Sequence, residues 1–190
     1  TYGGGINYID RSDEGKLIFI NHRNHMKNYP IKDCFRTRVV TSDGKGNIWI
    51  GTTNGLIAFK ENFASPENIS FHYHVRIPGD IHSLSNNNVY EIFTSVNQEL
   101  YIATFGGGLN KLISFEDGRA KFTAYTTKNG LPSDILFSVE GNEPGVLWLI
   151  MEEEICRFMP ETGEVENYNW KYFPFPVVFN EGRPARLSNG

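Results

Sequence analysis

The chain writes one short pattern three times: an aromatic-bearing strand, a glycine turn, then an apolar strand. The copies stand as "TYGGGINYI" from Thr1, which enters at the turn, "NIWIGTTNGLIAF" from Asn47 to Phe59, and "ELYIATFGGGLNKL" from Glu99 to Leu112. Trp49, Tyr101 and Trp148 hold one place in successive copies, at steps of 52 and 47 residues. Thr1, Thr52 and Thr104 keep the same rhythm, at 51 and 52. A period of this size marks a supersecondary unit that cannot bury its apolar face alone and must stack on its neighbours.

In the clearest copy, "NVYEIFTSV" (Asn88 to Val96) alternates apolar and polar residues, whereas "LYIAT" (Leu100 to Thr104) is apolar almost throughout. The first reads as a half-buried strand and the second as a strand buried on both faces. "FGGG" then reverses the chain into "LNKLISF", and "EDGR" reverses it into "KFTAYT". Helical spacing is absent, and Gly and Asn punctuate too often for helices. Gly55 and Gly108 stand at the reversal, where a hairpin needs a positive φ that costs a residue with a Cβ about 1 kcal/mol more than glycine. The aromatic at Trp49, Tyr101 and Trp148 is placed to wedge against the next sheet, and core packing outweighs ligand contact there. Truncating Trp49 or Trp148 to Ala is expected to cost about 3–5 kcal/mol. Short strands in fours, with Trp on the second, predict an all-β fold of β-propeller blades. Unclosed stacked hairpins are the alternative architecture.

A chain of 190 residues, 39% hydrophobic and 21% charged, has the composition of a globular protein. Its 18 basic and 22 acidic side chains leave a net charge of -4 without a basic run, which argues against a nucleic-acid surface. No apolar stretch approaches the roughly 18 residues of a membrane helix. Without an initiator Met or a leader, the sequence is expected to be a piece of a longer protein. Cys34 and Cys156 fall at non-equivalent positions, and spacing does not settle whether they pair.

The register divides the chain into the second half of a blade at 1–30, full blades at 35–77, 85–127 and 131–169, and the start of another at 176–190. The two ends cannot close a four-bladed ring together, because the second strand between them would be absent. Its neighbours would face each other across about 10 Å, beyond hydrogen-bonding reach. The reading is therefore an excerpt of a larger propeller.

"DGKGNIWIGTTNGLIAF" and "NGLPSDILFSVEGNEPGVLWLI" resemble the two-component regulator propeller repeat. Gly130, Leu131, Pro132 and Ser133 match the opening of that repeat, and Asp43, Gly46, Trp49, Ile50, Gly51, Thr52, Gly55, Leu56 and Phe59 match its body. The resemblance covers essentially the whole chain. It implies a seven-bladed propeller in the periplasmic sensor of a hybrid two-component regulator, which recognises an oligosaccharide and acts through a kinase further along the parent chain. The third full blade departs from the pattern: "MEEE" (Met151 to Glu154) replaces the glycine turn, with Glu154 at the place of Gly55. Either the turn changes type or a strained residue is tolerated, and a solvated charge run is the default.

Antiparallel alternation puts the second turn of each blade and the link to the next blade on one rim. Tyr2, Asn54, Phe105, Glu152 and Glu153 thus share a rim with "HSLSNN", "NGLPSD" and "NYNWKYFPFP", where loops converge into a concave mouth. The last stretch gathers Tyr168, Trp170, Tyr172, Phe173 and Phe175. Flat rings beside Asn and carboxylates suit a sugar, although covering a blade edge is the simpler role. Trp170 and Tyr172, with Tyr2 and Phe105 nearer the channel, are the candidate oligosaccharide contacts.

His72 and His74 lie on one side of an outer strand and are expected to face solvent. No set with zinc spacing completes them or His22 and His25, and neither metal nor cofactor is expected. Glu152 and Glu153 alternate in direction if extended, which is wrong for acting across one glycosidic bond. Glu91 and Asp134 are carboxylates without further support. The leading function is ligand sensing without chemistry, by a periplasmic segment whose partners are the ligand, the remaining blades and domains of its own chain, and a second copy if sensors dimerise. A propeller enzyme, of the kind that streptogramin lyases exemplify, and a dimerisation scaffold are the alternatives.

Overall fold

A computed structural model describes residues 3–11, 15–180 and 182. Strands β1 (Tyr8–Asp10) and β2 (Ile18–Ile20) form an antiparallel pair, the half-blade. The first blade orders β3 (Thr37–Ser42), β4 (Asn47–Thr52), β5 (Gly55–Lys60) and β6 (His72–His74) side by side in sequence order. The second blade does the same with β7 (Val89–Thr94), β8 (Leu100–Thr104), β9 (Gly108–Glu116) and β10 (Arg119–Tyr125). The third uses β11 (Leu136–Glu140), β12 (Leu147–Met151), β13 (Ile155–Met159) and β14 (Glu164–Tyr168). All pairs are antiparallel. The all-β, four-stranded blade read from the repeat is the fold found.

The core lies between blades. The leading face of the first blade (Trp49, Leu56, Ala58) packs on Leu100, Ile102 and Phe122 of the second. The leading face of the second (Tyr101, Ala103, Leu109) packs on Leu149, Met151, Cys156 and Phe158 of the third. The first blade's other face joins Ile20, Met26, Tyr29 and Cys34. First strands of successive blades touch each other, β3 to β7 and β7 to β11, so the sheets converge on a hub. Trp49 and Tyr101 are buried as expected, but Trp148 is only half-buried. It lies on the leading face of the third blade, against which no further sheet packs among the described residues. Cys34 and Cys156 are buried in separate seams with free thiols, and burial pushes both up, Cys34 to about 11 and Cys156 to about 12.

Two local devices fix the hairpins. Gly108 has φ of 69°, and a Cβ there would sit 2.1 Å from the carbonyl oxygen of Tyr125. In the third blade the turn changes type instead. Glu154 does not take a positive φ, and its carbonyl accepts the Met151 N–H at 3.0 Å. The first turn of the first blade is built on Asp43, whose buried carboxylate accepts the N–H groups of Lys45 (2.8 Å) and Asn47 (3.1 Å), the Asn47 amide (2.6 Å) and Trp49 Nε1 (3.0 Å). Burial alone would raise its pKa, but these donors outweigh it and hold the carboxyl below the ordinary range.

The histidine expectation needs correcting. His74 is wedged in the seam between the first two blades, 5.9 Å from the Phe115 ring and 6.2 Å from Trp49. Its Nε2 is buried with no hydrogen-bond partner among the described residues. Burial first, and then the neighbouring His72, lower its pKa to about 4. The alternation that puts both histidines on one side is right, but that side faces the next blade.

Candidate functional site: the rim at the hub

The loops assigned to one rim do meet there. The Gly4 and Gly5 N–H groups donate to Phe35 (3.0 Å each), those of Gly106 and Gly108 to Asp134 (2.9 Å each), and Phe179 N–H to Glu152 (2.8 Å). In each case the second turn of a blade is tied to the link that enters the next.

Just below this rim, each first strand carries a β-bulge at the same position. Pairing shifts between Thr37 and Val39, between Val89 and Glu91, and between Leu136 and Ser138. The surplus residues are Arg38, Tyr90 and Phe137, and bulges re-aim side chains in this way. They form a row across the hub. The Arg38 guanidinium lies 3.8 Å over the Tyr90 ring, and Tyr90 stacks on Phe105 (5.5 Å, 22°) and meets Phe137 at 5.5 Å. Phe105 tops the row, 40% exposed. Below, Glu91 is buried and accepts a hydrogen bond from Ser138 Oγ (3.1 Å) across the seam, which gives this carboxylate a structural partner.

Beside Phe105 opens a cleft of about 560 Å³ between the link of 75–88 and that of 126–135, floored by Gly106 and Gly107. Asp134 faces it but is engaged, accepting from the Thr127 N–H (2.7 Å) and hydroxyl (3.2 Å). The remaining candidates spread out. The Asn54 carbonyl accepts a hydrogen bond from the Tyr73 hydroxyl. Glu152 and Glu153 are exposed side chains of the third blade's turn. Trp170 and Tyr172, 62% and 66% exposed, sit on a short 3-10 turn. Tyr172 packs edge-on to Tyr168 (5.2 Å), which leans on Trp148 (5.6 Å), so this cluster belongs to the leading face of the third blade. Tyr2 lies outside the described residues.

Sequence reading named Phe105 and did not name Arg38, Tyr90 or Phe137, which the structure sets in one row with it. The signal was there: all three stand one residue into the first strand at equivalent positions, but alternation does not announce a bulge. Phe105 offers an exposed flat face over the half-buried Tyr90 and the buried Phe137, and the cleft offers hydroxyl and charged groups among apolar ones. Among the described residues no group of His, Cys, Asp or Glu is arranged to hold a metal ion, and no helix is long and apolar enough to cross a membrane.

No family model and no curated protein matches the sequence. Among solved structures, the chain is similar to the extracellular domain of BT3049 from B. thetaiotaomicron, described as a hybrid two component system. The TM-score is 0.69 at 23% identity, over 88% of this chain and 22% of that one. It is also similar to a streptogramin B lyase, with a TM-score of 0.52 at 18% identity, over 89% of this chain and 56% of that one. The chain therefore spans less than two thirds of either protein. Its four-stranded sheets converging on a hub, and its likeness in fold to both, make it a run of β-propeller blades.

Proposed function

We propose that the chain is the ligand-recognising part of an extracytoplasmic sensor, that it performs no chemistry, and that its ligand is an oligosaccharide. The observation that carries this reading is the exposed Phe105 ring, stacked on the bulge residue Tyr90 at the rim, beside a cleft lined by both apolar and polar side chains. Rings presented this way stack on the C–H faces of sugars, and the neighbouring amides and hydroxyls bond the hydroxyl groups. The likeness to an extracellular domain of a hybrid two component system supports the sensor role. On this reading the chain is an excerpt of a larger propeller, held outside the cytoplasm. It signals through a kinase elsewhere in its parent, to genes for polysaccharide use.

Titrating a glycan panel into the intact protein tests the proposal. Phe105→Ala is expected to weaken the sugar that binds by about tenfold, the value of one good ring stack. Trp170→Ala with Tyr172→Ala tells whether the outer aromatic cluster belongs to the site. Unchanged affinity in the Phe105 variant would remove the rim from consideration.

A further inference from the structure

We propose that Arg38 is a positioning residue for the rim site: through Tyr90 it sets the angle at which the exposed Phe105 ring is presented. The first blade thereby controls a contact that the second blade makes. This rests on the sugar reading above. Two rings hold Phe105. Tyr90, the surplus residue of its own blade, lies nearly parallel to it at 5.5 Å and 22°. Phe137, the surplus residue of the next blade, lies at 6.3 Å and 33°. The surplus residue of the preceding blade is Arg38, and its guanidinium lies 3.8 Å over the Tyr90 ring. The bulges of three successive blades are thus spent around one exposed ring.

The backbone of Phe105 is fixed separately. Its N–H donates to the Asn88 carbonyl at 3.0 Å, and it forms a β-bridge with Ile135 of the following link. What remains is rotation of the side chain, which Tyr90 and Phe137 limit. Phe137 is buried. Tyr90 is only half-buried, with Phe137 5.5 Å away and the Arg38 cation over its face. A cation is attracted to the face of a ring by its quadrupole, and a planar guanidinium adds stacking contact. Arg38 therefore opposes a swing of Tyr90 out of the position in which Phe105 stacks on it. The places equivalent to Phe105 hold Thr53 in the first blade and Glu152 in the third, so the brace serves a single ring. A ring already held at its binding angle loses less freedom when a sugar stacks on it, and that is affinity gained by preorganisation.

The test puts 4-fluorophenylalanine at position 105 of the intact protein and reads its fluorine resonance, beside calorimetric titrations with maltohexaose, xylohexaose and mannohexaose. Arg38→Met, which keeps the bulk and removes the charge, is expected to shift and broaden the resonance. It is also expected to weaken the hexaose that binds by about threefold, the value of one cation–ring contact. Arg38→Lys, which keeps a cation over the ring, is expected to restore most of both. A resonance indifferent to both substitutions, in variants that thermal melts show folded, would overturn the positioning role and leave the sugar reading standing. A resonance that moves while affinity stays the same would do so too, because the angle of the ring would then not matter to the sugar. No binding of any hexaose by the unsubstituted protein would overturn the sugar reading, and with it the part of Arg38 in affinity.

Discussion

Trp49 and Trp148 occupy the same place in the repeat, yet their surroundings differ. On the leading face of the first blade, Trp49 is fully buried, with the Phe115 ring of the second blade 4.9 Å away and its indole N–H anchored on Asp43. On the leading face of the third blade, Trp148, Ile150, Ile155, Arg157 and Tyr168 are all half-buried. The trailing face of that same blade is sealed by Leu147, Leu149, Cys156 and Phe158. A blade is thus finished on one side by its own sequence and its predecessor, and on the other only by whatever packs next.

The largest test of this contrast is truncation. Trp49→Ala is expected to destabilise by about 3–5 kcal/mol, and Trp148→Ala by only about 1 kcal/mol, in denaturant melts of the intact protein. Equal losses would mean that the leading face of the third blade is covered in solution. Next in size, Gly108→Ala should cost about 2 kcal/mol or more, since it combines a positive φ with a backbone clash. Glu154→Gly, at the matching turn of the third blade, should change stability by less than about 1 kcal/mol, because that turn does not use a positive φ.

A double-mutant cycle between Trp49 and Phe115 should show coupling of about 1 kcal/mol, as expected of edge-to-face rings, and none should appear between Trp148 and Phe115. The sealed seam also carries a pH signature. His74 stays neutral down to about pH 4 in the folded chain, whereas the unfolded chain takes up its proton near 6.5. Stability contributed by this seam is therefore full above the unfolded value and lost as pH falls from there towards 4. His74→Leu should flatten that acid limb, and a mutation of Tyr168 on the third blade's leading face should not. The smallest effect is expected from Glu161→Gln. This exposed carboxylate joins Lys111 at 3.0 Å across the second seam, and Lys111 keeps Glu99 at 2.7 Å, so the loss should be under about 0.5 kcal/mol.

The blade architecture was legible because its signals are local. A glycine that must reverse the chain, a short strand apolar on both faces and an aromatic at fixed spacing are each written within a few residues. What depends on the neighbouring sheet was not legible. Trp148 looks like Trp49 in sequence and differs only in what covers it. His74 looks like a surface histidine until Phe115, more than forty residues later, closes over it. The row at the rim was hidden for another reason. Arg38, Tyr90 and Phe137 are aligned in the repeat, but counting alternate residues assumes a regular ladder, and the bulge breaks the count at that point.

The surplus residue in each innermost strand also separates two kinds of change. Removing Tyr90 as a single-residue deletion would let β7 pair without interruption, with Val89 still opposite Thr104 and Glu91 opposite Ala103. The ladder below it, and the seams on which folding depends, would keep their register. The mouth of the hub can accordingly be refurnished by one-residue edits while the rest of the sheet is left as it was.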